Sequence, residues 1–571
     1  MRRHFSFLLL AILVAGIFYP SISAESLPTD DQEMLRGYMN MTELDWQGLF
    51  LPSSSLYYYR PLLGFSFYCD HLLFDNLTSF AHLGNILLHL ANTLLLYALL
   101  RSIVSMKEND SPLLMAIFFG IHPLATEPVN WISGRTDLLA GFFVLLSFLF
   151  FLRNQEKKPE WDLLAAFWFL CGLWSKEVAI GLLPVILFVD IQDEHFAIHQ
   201  KWREITKRVT PFFAATLLYG LMRTGGQITH DVGIMSAIYG GHGAEHFPLS
   251  AKLLSLIKAI GFYSHKILWP FPLNFAIVEI NRPLALGVGI IALVSLTVGL
   301  LFCRHRRFMM GIIWIPCFLA PALPVAVNRV AWTPLAERYL YLPLMGLCLT
   351  MAILMSNSSK KKSMVLAMSI LLLGFGAATA QRNIVWQKNI TLWHDVVENS
   401  PNFAPGHNDY ALALLREGKT DEAKKHFAIA ASLAEGTGKS LAKSNIAMLK
   451  GTSEQQLATL DAILQNEQSP KLRSQILYNI IRLVSNELGN KEITAAKQRT
   501  WTRKLLGCQE QLAVLEKNPY HLYRIGQLHL ALGEKTAAKA AFETTCQTSN
   551  DYFTQPACTL AKRLAQETKG E

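Results

Sequence analysis

The sequence predicts an all-α protein in two parts, a polytopic membrane helix bundle followed by a helical repeat domain. Hydrophobic residues make up 51% of the 571 residues and charged residues only 17%, whereas ordinary soluble proteins have about 25% charged residues. Up to about residue 380, apolar stretches recur that are long enough to cross ~30 Å of hydrocarbon. Beyond that point the pattern becomes amphipathic-helical with charged faces. These observations divide the chain into residues 1–380 and 381–571.

Composition also limits what the chain binds. The high hydrophobic content excludes a disordered chain. The net charge of +9 is shared by both parts, with 28 basic and 24 acidic residues up to residue 380 and 24 and 19 beyond it. Because no basic stripe gathers on one segment, the charge does not favour a nucleic-acid partner. The eight cysteines show no zinc-type spacing, so they predict no metal site.

Eleven apolar stretches are candidate membrane spans. They lie at about residues 5–20, 83–100, 112–128, 137–152, 161–175, 178–190, 210–222, 285–302, 308–324, 339–356 and 364–380. With the N-terminus inside, 17 of the 28 basic residues fall on the inner side in short segments, as the positive-inside rule requires. An odd number of spans then places residues 381–571 on the outer side, in a periplasm or an ER lumen.

The first apolar stretch has two interpretations. Arg2 and Arg3, the apolar run and the small residues up to Ala24 fit a cleaved signal peptide. An uncleaved first helix is preferred, because the outer loop that follows, at about residues 21–82, carries polar residues that need anchoring beside the other helices.

Two segments of the C-terminal part resemble each other. Residues 410–430 and 523–545 each contain an apolar helix, a turn with Gly418 or Gly533, and a second helix rich in alanine. Glycine accepts the left-handed conformation between two helices. The pattern is typical of a tetratricopeptide repeat and predicts a repeat domain on the extracytoplasmic side, in residues 381–571.

Two cysteines of this domain leave a question open. Cys546 and Cys558 fit a disulfide on an oxidising side of the membrane, and they fit two buried free thiols equally well.

Polar residues gather in the loops on the predicted outer side. They are Asp30, Asp31 and Arg60 in the first loop, His122, Glu127 and Arg135 in the second, Lys176 in the third, and Glu337 and Arg338 in the fifth. Placing ionised groups near a bilayer costs free energy unless they are paired, hydrated or bound to a ligand. Their convergence on one face predicts a polar site at the outer membrane surface.

The residue types indicate phosphate chemistry. Adjacent carboxylates such as Asp30 and Asp31 repel each other, so one of them can hold a raised pKa and act as a base near neutral pH. Guanidinium groups grip a phosphate bidentately and stabilise its developing charge. With lipid around the site, this combination predicts a lipid phosphate as leaving group and a hydroxyl nucleophile deprotonated by the aspartate.

Taken singly, these residues also have structural interpretations. Asp30 and Asp31 fit the N-terminal cap of a helix that begins near residue 33. Lys176 and Glu177 fit a local ion pair that closes a turn.

The same holds for the remaining motifs. Glu337 and Arg338 fit an anchor of a helix end at the membrane interface. His122 precedes Pro123, as the last residue before a helix break does. His89, on the apolar face of the second span, fits a hydrogen-bonded core histidine.

The order of the motifs is more specific than any one of them. It runs Asp30-Asp31, Tyr59-Arg60-Pro61-Leu62, Asn85-xxx-His89, HPLATEPVNWISGRTDLL from His122 to Leu139, Ser175-Lys176-Glu177, AERYLYLP from Ala336 to Pro343, and Arg382-Asn383 with Trp386 and Trp393. Over almost the whole chain it resembles the transmembrane and tetratricopeptide repeat-containing O-mannosyltransferase family and its bacterial relatives, in the GT-C glycosyltransferase superfamily.

This resemblance implies a fold, a donor and a set of site residues. The fold is of GT-C type, the donor is a polyprenyl- or dolichyl-phosphate sugar, and the catalytic acid is one of Asp30 and Asp31, with Asp31 preferred. The residues assigned to the donor phosphate and sugar are Arg338, Arg135, His122, Glu127, Arg60, Glu337 and Lys176. The repeats hold the acceptor in their groove. Because the repeat domain is short and partly degenerate, a cadherin-like protein acceptor is less favoured.

The sequence therefore predicts an inverting-type membrane glycosyltransferase that moves a sugar, with mannose favoured, from a lipid phosphate to a protein hydroxyl on the outer face. Its partners are the donor lipid, a protein or glycan acceptor and the bilayer. No cofactor is assigned, and assistance by a divalent metal is left open. The predicted location is a bacterial inner membrane with the repeats in the periplasm, or the ER membrane in a eukaryote. Two alternatives stay open: the same fold acting on a lipid-linked or envelope glycan, and a non-catalytic repeat scaffold for envelope assembly.

Overall fold

A computed structural model gives the fold of most of the chain. It describes residues 2–28, 31, 35, 46–50, 59–73, 77–104, 110–154, 158–192, 198–225, 248–278, 280–303, 305–328, 333–489, 493–516, 518–548 and 554–567. Within these residues there is no β-strand, and a single isolated bridge pairs Ile277 with Leu335. The predicted all-α class is therefore confirmed.

The chain divides into two compact units, residues 1–400 and residues 401–571. The division lies beyond the change in hydropathy near residue 380. The reason is that the helix after the last apolar stretch, Asn389–Asn399, packs against that stretch inside the first unit.

The first unit contains seventeen α-helices in its described residues. They are α1 Arg2–Phe18, α2 Trp46–Phe50, α3 Pro61–Leu73, α4 Leu77–Ile103, α5 Ser111–Gly120, α6 Thr126–Asn130, α7 Arg135–Arg153, α8 Pro159–Ser175, α9 Leu182–Ile191, α10 Ile198–Gly225, α11 Leu249–Leu268, α12 Arg282–Phe302, α13 Arg306–Leu319, α14 Leu323–Asn328, α15 Tyr341–Asn357, α16 Lys361–Trp386 and α17 Asn389–Asn399. Short 3-10 turns join several of them, at Tyr19–Ser23, Pro123–Ala125, Ile132–Gly134, Glu177–Gly181, Ala320–Ala322 and Glu337–Leu340.

Seven stretches of the described residues are long and apolar enough to cross a membrane. They are Phe5–Ser23, Thr78–Ile103, Ile132–Arg153, Arg282–Phe302, Arg306–Asn328, Glu337–Asn357 and Lys361–Trp386. An eighth forms if α5 and the segment Pro123–Asn130, which meet at a bend of 47°, count as one broken span. The chain is thus a multi-pass membrane protein. The other predicted spans are helical in α8, α9 and α10 but are shorter or more charged, so the count of eleven stays a prediction.

The core of the first unit is built from apolar faces of most of its long helices, with α4 against α1, α5 and α7. Several polar groups inside this core are hydrogen-bonded, which offsets the free-energy cost of their burial. His89 lies 2.9 Å from the hydroxyl of Tyr341 and 3.1 Å from the carbonyl oxygen of Gly120, so it is a core histidine as predicted.

Helices α11 and α12 pack with their backbones unusually close. A Cβ atom at Gly261 would collide with the carbonyl oxygen of Ala285, and a Cβ at Gly289 would collide with that of Ile257. Two glycines facing each other are therefore what allows this helix pair to form.

The second unit is a succession of helices, each of which packs against the next. They are α18 Ala404–Arg416, α19 Thr420–Leu433, α20 Gly436–Ala447, α21 Ser453–Asn466, α22 Pro470–Leu488, α23 Ala495–Glu516, α24 Pro519–Leu532, α25 Lys535–Thr548 and α26 Thr554–Glu567. Gly418 and Gly533 have φ angles of +77° and +81° in the turns of the two predicted repeats. Cys546 and Cys558 form a disulfide that joins α25 to α26.

Candidate active site

Arg338 and Glu127 form the centre of a charged site on the predicted outer side. The turn Glu337–Leu340 packs against the turn Pro123–Ala125, and Glu127 follows the latter in α6. One carboxylate oxygen of Glu127 accepts from Arg338 Nη1 at 2.5 Å and the other accepts from the Arg338 backbone N–H at 2.9 Å. The guanidinium lies over the rings of Trp131 and Tyr339, at 4.8 and 5.1 Å from their centroids. Glu127 therefore fixes the position of the Arg338 guanidinium. The side chain of Arg338 stays 11% exposed.

Lys176 joins the same site from the turn between α8 and α9. Its ammonium donates to both carboxylate oxygens of Asp137 at 2.7 Å and lies 5.4 Å from the ring centroid of Tyr339. Burial lowers the pKa of Lys176, the charge of Asp137 opposes this effect, and the charges of Arg60 and Arg338 lower the pKa further. Two other predicted cations, Arg60 and Arg338, thus lie within electrostatic range of Lys176.

Glu177 does not pair with its neighbour Lys176, so the interpretation as a local ion pair is wrong. Its carboxylate bridges two arginines, with Arg60 Nη2 at 3.1 Å and Arg223 Nη1 at 2.9 Å. The same Nη1 of Arg223 donates to the hydroxyl of Tyr219 at 2.9 Å. Burial alone would raise the pKa of Glu177, but the charges of Arg60 and Arg223 lower it to about 2. Glu177 is therefore ionised across the physiological pH range.

These groups define what we call the cation strip. Its members are the cations Arg60, Lys176, Arg223 and Arg338 and the carboxylates Glu127, Asp137 and Glu177. The described residues thus contribute four cations and three carboxylates to it. Glu127 and Asp137 are almost fully buried, whereas the three guanidinium groups retain some exposure. The strip therefore presents partly exposed guanidinium groups, which suit an anion.

Asp31, the preferred catalytic residue, is enclosed by protein. It is 1% exposed, and its Oδ1 accepts from the backbone N–H and the hydroxyl of Ser133, at 3.1 and 2.8 Å. Its Oδ2 accepts from the N–H of Leu27 at 3.0 Å. These bonds join the first outer loop to the start of α7. Asp30 lies outside the described residues.

Arg135, which was assigned to the donor phosphate, is 1% exposed and bonded to protein through all three nitrogens. Its Nε donates to Asn85 Oδ1 at 2.9 Å, its Nη2 donates to the carbonyl oxygen of Ala81 at 2.7 Å, and its Nη1 lies 2.7 Å from Asp70 Oδ2. Burial raises the pKa of Asp70, and the charge of Arg135 opposes this effect. In this arrangement the guanidinium joins α3, α4 and α7 and positions the site.

We expect the substitution Arg135→Gln to lower the free energy of unfolding by about 3–5 kcal/mol, because it leaves Asp70 half-buried without its partner. Thermal unfolding of the purified protein in detergent measures the effect. Arg153→Gln, at the exposed other end of α7, is the matched control and should change little. Equal stability of the two variants would contradict a positioning role for Arg135.

His122 and Glu337 are also turned into the protein. His122 is fully buried between the rings of Phe118 and Phe375, and its Nδ1 accepts from the N–H of Leu124 at 3.2 Å, so it caps the turn at the bend. Glu337 Oε1 accepts from Lys266 Nζ at 2.7 Å and from a backbone N–H at 3.0 Å. Of the residues assigned from sequence, the cation strip gathers Arg338, Glu127, Lys176 and Arg60. The catalytic and binding roles themselves stay predictions.

Fold and site together define a multi-pass membrane protein with an anion-attracting site beside the ends of its apolar helices. Known proteins with similar sequences are protein O-mannosyl-transferases. The chain is 24% identical over 409 residues to one from Caenorhabditis elegans, an alignment that covers 67% of this chain and 54% of the relative. It is 25% identical over 429 residues to a human one, covering 66% and 48%. It is 32% identical over 188 residues to one from Xenopus laevis, covering 30% and 22%. No protein-family profile matches the chain.

The resemblance to the transmembrane and tetratricopeptide repeat-containing O-mannosyltransferases is thereby confirmed. The chain spans about half the length of the relatives from Caenorhabditis elegans and human. Its similarity to them covers about two thirds of its own residues.

Proposed function

We propose that the chain is a glycosyltransferase that moves one sugar from a polyprenyl- or dolichyl-phosphate donor to a hydroxyl group of a protein, with mannose favoured, on the extracytoplasmic face. The observation that carries the proposal is the cation strip. A sugar joined to a lipid through one phosphate carries a negative charge, which complements the partly exposed guanidinium groups of the strip. The relatives' printed names specify mannosyl transfer to protein.

In this mechanism an aspartate of the first outer loop, Asp31 or Asp30, removes the proton of the acceptor hydroxyl. The acceptor oxygen bonds to the anomeric carbon of the sugar as the bond from that carbon to the phosphate oxygen breaks. The electron pair stays on the phosphate, and the lipid monophosphate leaves. Arg338, held by Glu127, stabilises this developing charge.

The hydrogen bonds of Asp31 bear on which of the two aspartates accepts the proton and which positions the loop. Both of its oxygens already accept from protein donors, which suits a group that positions the loop. A base role for Asp31 would require these bonds to loosen as the acceptor arrives. Single substitutions of Asp30 and Asp31 therefore test which carboxylate receives the proton.

The second unit would hold the acceptor on the extracytoplasmic side, in a periplasm or an ER lumen. The disulfide between Cys546 and Cys558 supports this orientation, because disulfides persist in oxidising compartments and are rare in the cytosol. A repeat domain of paired helices offers a continuous groove for an extended polypeptide.

We expect Cys546 and Cys558 to be oxidised in cells. After denaturation of freshly isolated membranes, a maleimide polymer should modify two more thiols per chain when a reductant is present than when it is absent. The variant Cys546→Ser with Cys558→Ser should show no such difference, since the other cysteines of the described residues are free thiols. Equal labelling of the wild type with and without reductant would contradict the proposed orientation.

The transfer reaction itself is tested with the full chain in lipid nanodiscs. The protein is incubated with a panel of radiolabelled polyprenyl-phosphate sugars and an extract of membranes and periplasm. Label that reaches a protease-sensitive product supports protein O-glycosylation. Label that reaches only a glycan or lipid favours the alternative acceptor. No transfer from any donor by the folded protein would favour a scaffold.

A further inference from the structure

The second unit carries side-chain amides where its first helices meet. Helices α18, α20 and α22 each begin a pair, with α19, α21 and α23 as their partners, and they also contact one another in succession. The three helices therefore share one face of the stack. Each of them has an asparagine that lies at or next to these contacts, namely Asn408, Asn445 and Asn479. We call these three residues the carboxamide row.

Hydrogen bonds link the row from helix to helix. Asn445 Nδ2 donates to Asn408 Oδ1 at 2.8 Å and so joins α20 to α18. Asn479 Nδ2 donates to Ser444 Oγ at 3.1 Å and so joins α22 to α20. These bonds hold the amide groups of Asn445 and Asn479 in fixed orientations, which lowers the entropy that a ligand would lose on binding to them.

The row is buried at one end and accessible at the other. Asn408 is only 7% exposed, so it positions Asn445 and does not reach a ligand. Asn445 and Asn479 are half-buried. Asn445 makes no second hydrogen bond within the described residues, so its oxygen and its other amide hydrogen are available to a ligand.

Further polar side chains continue the row along α22. Gln475, Asn479, Arg482 and Asn486 follow one another at intervals of four, three and four residues, which places them on one stripe of the helix. Gln475, Arg482 and Asn486 are exposed. The stripe thus presents hydrogen-bond donors and acceptors with a single charged group, which is Arg482.

The chemistry of a carboxamide suits the backbone of another chain. A carboxamide has an N–H donor and a C=O acceptor, as a peptide group has, so it can pair with the C=O and the N–H of a polypeptide. In an extended segment that belongs to no helix or sheet, these backbone groups are without intramolecular partners. An uncharged row of this kind matches such a segment better than it matches an anion.

We propose that the carboxamide row binds the backbone of an extended acceptor polypeptide, with Asn445 and Asn479 making the contacts. The proposal rests on the proposed function and deepens it, because it states how the acceptor is recognised. Recognition through the main chain selects an extended segment and not a particular sequence. Side chains alternate in direction along such a segment, so serine and threonine hydroxyls that point away from the row stay available to receive a sugar.

Binding of peptide probes to the full chain in nanodiscs tests the proposal without any transfer reaction. The amide probe is a fluorescent, uncharged peptide of alanine, serine and threonine, about 15 residues long, which spans about 50 Å when extended. The ester probe has the same side chains, with ester bonds in place of its central peptide bonds, so it lacks the N–H donors there. Fluorescence anisotropy should show that the ester probe binds about tenfold more weakly. A peptide of the same composition in scrambled order should bind as tightly as the amide probe.

Substitutions locate the effect in the row. Asn445→Ala with Asn479→Ala should bind the amide probe about tenfold more weakly than the wild type does. This double variant should also lose the preference for the amide probe over the ester probe, whereas a purely structural role would leave that preference unchanged. Asn466→Ala is the matched control, since Asn466 is an exposed asparagine of α21 that bonds to a carbonyl oxygen of its own helix. It should leave the binding of both probes unchanged.

Several outcomes would overturn the proposal. These are a wild type that binds the two probes equally or binds neither, a folded double variant with unchanged binding, and affinities that depend on the order of the residues in the peptide. A wild type that transfers sugar to protein but binds the two probes equally disproves this inference alone. A wild type with the expected preference and no transfer from any donor disproves the proposed function alone. If the double variant does not fold, the two probes still decide, because their comparison on the wild type needs no substitution.

Discussion

Replacing both aspartates of the first outer loop, as Asp30→Asn with Asp31→Asn, is expected to abolish sugar transfer while the chain still folds and inserts into membranes. Without a carboxylate the acceptor hydroxyl keeps its proton, and loss of a general base lowers a rate by about 100- to 10,000-fold. Initial rates of label transfer in nanodiscs measure the effect. Asp421→Asn, at a 92% exposed carboxylate of the second unit, is the control and should be fully active.

The single variants separate the two roles. Asp31→Asn loses an acceptor for the N–H of Leu27, because an amide nitrogen cannot accept that bond. If Asp31 only positions the loop, its variant should lose part of the activity and show a lower unfolding temperature. Substitution of the aspartate that acts as the base should abolish activity and leave the unfolding temperature unchanged. Transfer at the wild-type rate by the double variant would exclude a base at this pair.

The substitution Arg338→Gln is expected to lower kcat by about 100- to 1,000-fold, because it removes the donor aimed at the charge that develops on the leaving phosphate. Arg338→Lys should be intermediate, since an ammonium keeps the charge but loses the planar fork. Steady-state kinetics with a saturating donor gives the measurement. Arg503→Gln, at a 63% exposed arginine of the second unit, is the control.

Two results would count against this role of Arg338. A variant with normal kcat and a raised donor KM would place Arg338 in ground-state binding only. A variant that unfolds would show that the pair with Glu127 is structural. In that case Arg338→Lys, which can keep one bond to Glu127, decides whether the charge is needed.

The parts of the fold that the sequence predicted well depend on local chemistry. The turns at Gly418 and Gly533 were found because glycine accepts a positive φ at the end of a helix. The long spans α12 and α16 were found because uninterrupted apolar residues suffice to identify them. The bounds of helix α10 are harder to predict from sequence, because its charged first half and apolar second half form one continuous helix of 28 residues.

The candidate site was only partly predictable, because charge identifies a residue but not its partner. Lys176 and Glu177 are neighbours in sequence, yet their side chains reach Asp137 in one case and two arginines in the other. Arg223 was missed because its partner lies 46 residues away and belongs to another motif. Arg135 carries the charge expected of a phosphate ligand, and only the structure places its three protein partners around it.

In the proposed reaction, a sugar moves from a lipid phosphate to a protein hydroxyl at the cation strip. Its most direct test measures sugar appearance on an acceptor peptide and release of lipid monophosphate together, with the full chain in nanodiscs. We expect equal amounts of the two products from a polyprenyl-phosphate donor and none from a nucleotide sugar. Both products should be lost in the double aspartate variant and strongly reduced in Arg338→Gln. Sugar transfer without release of lipid monophosphate, or transfer from the nucleotide sugar alone, would contradict it.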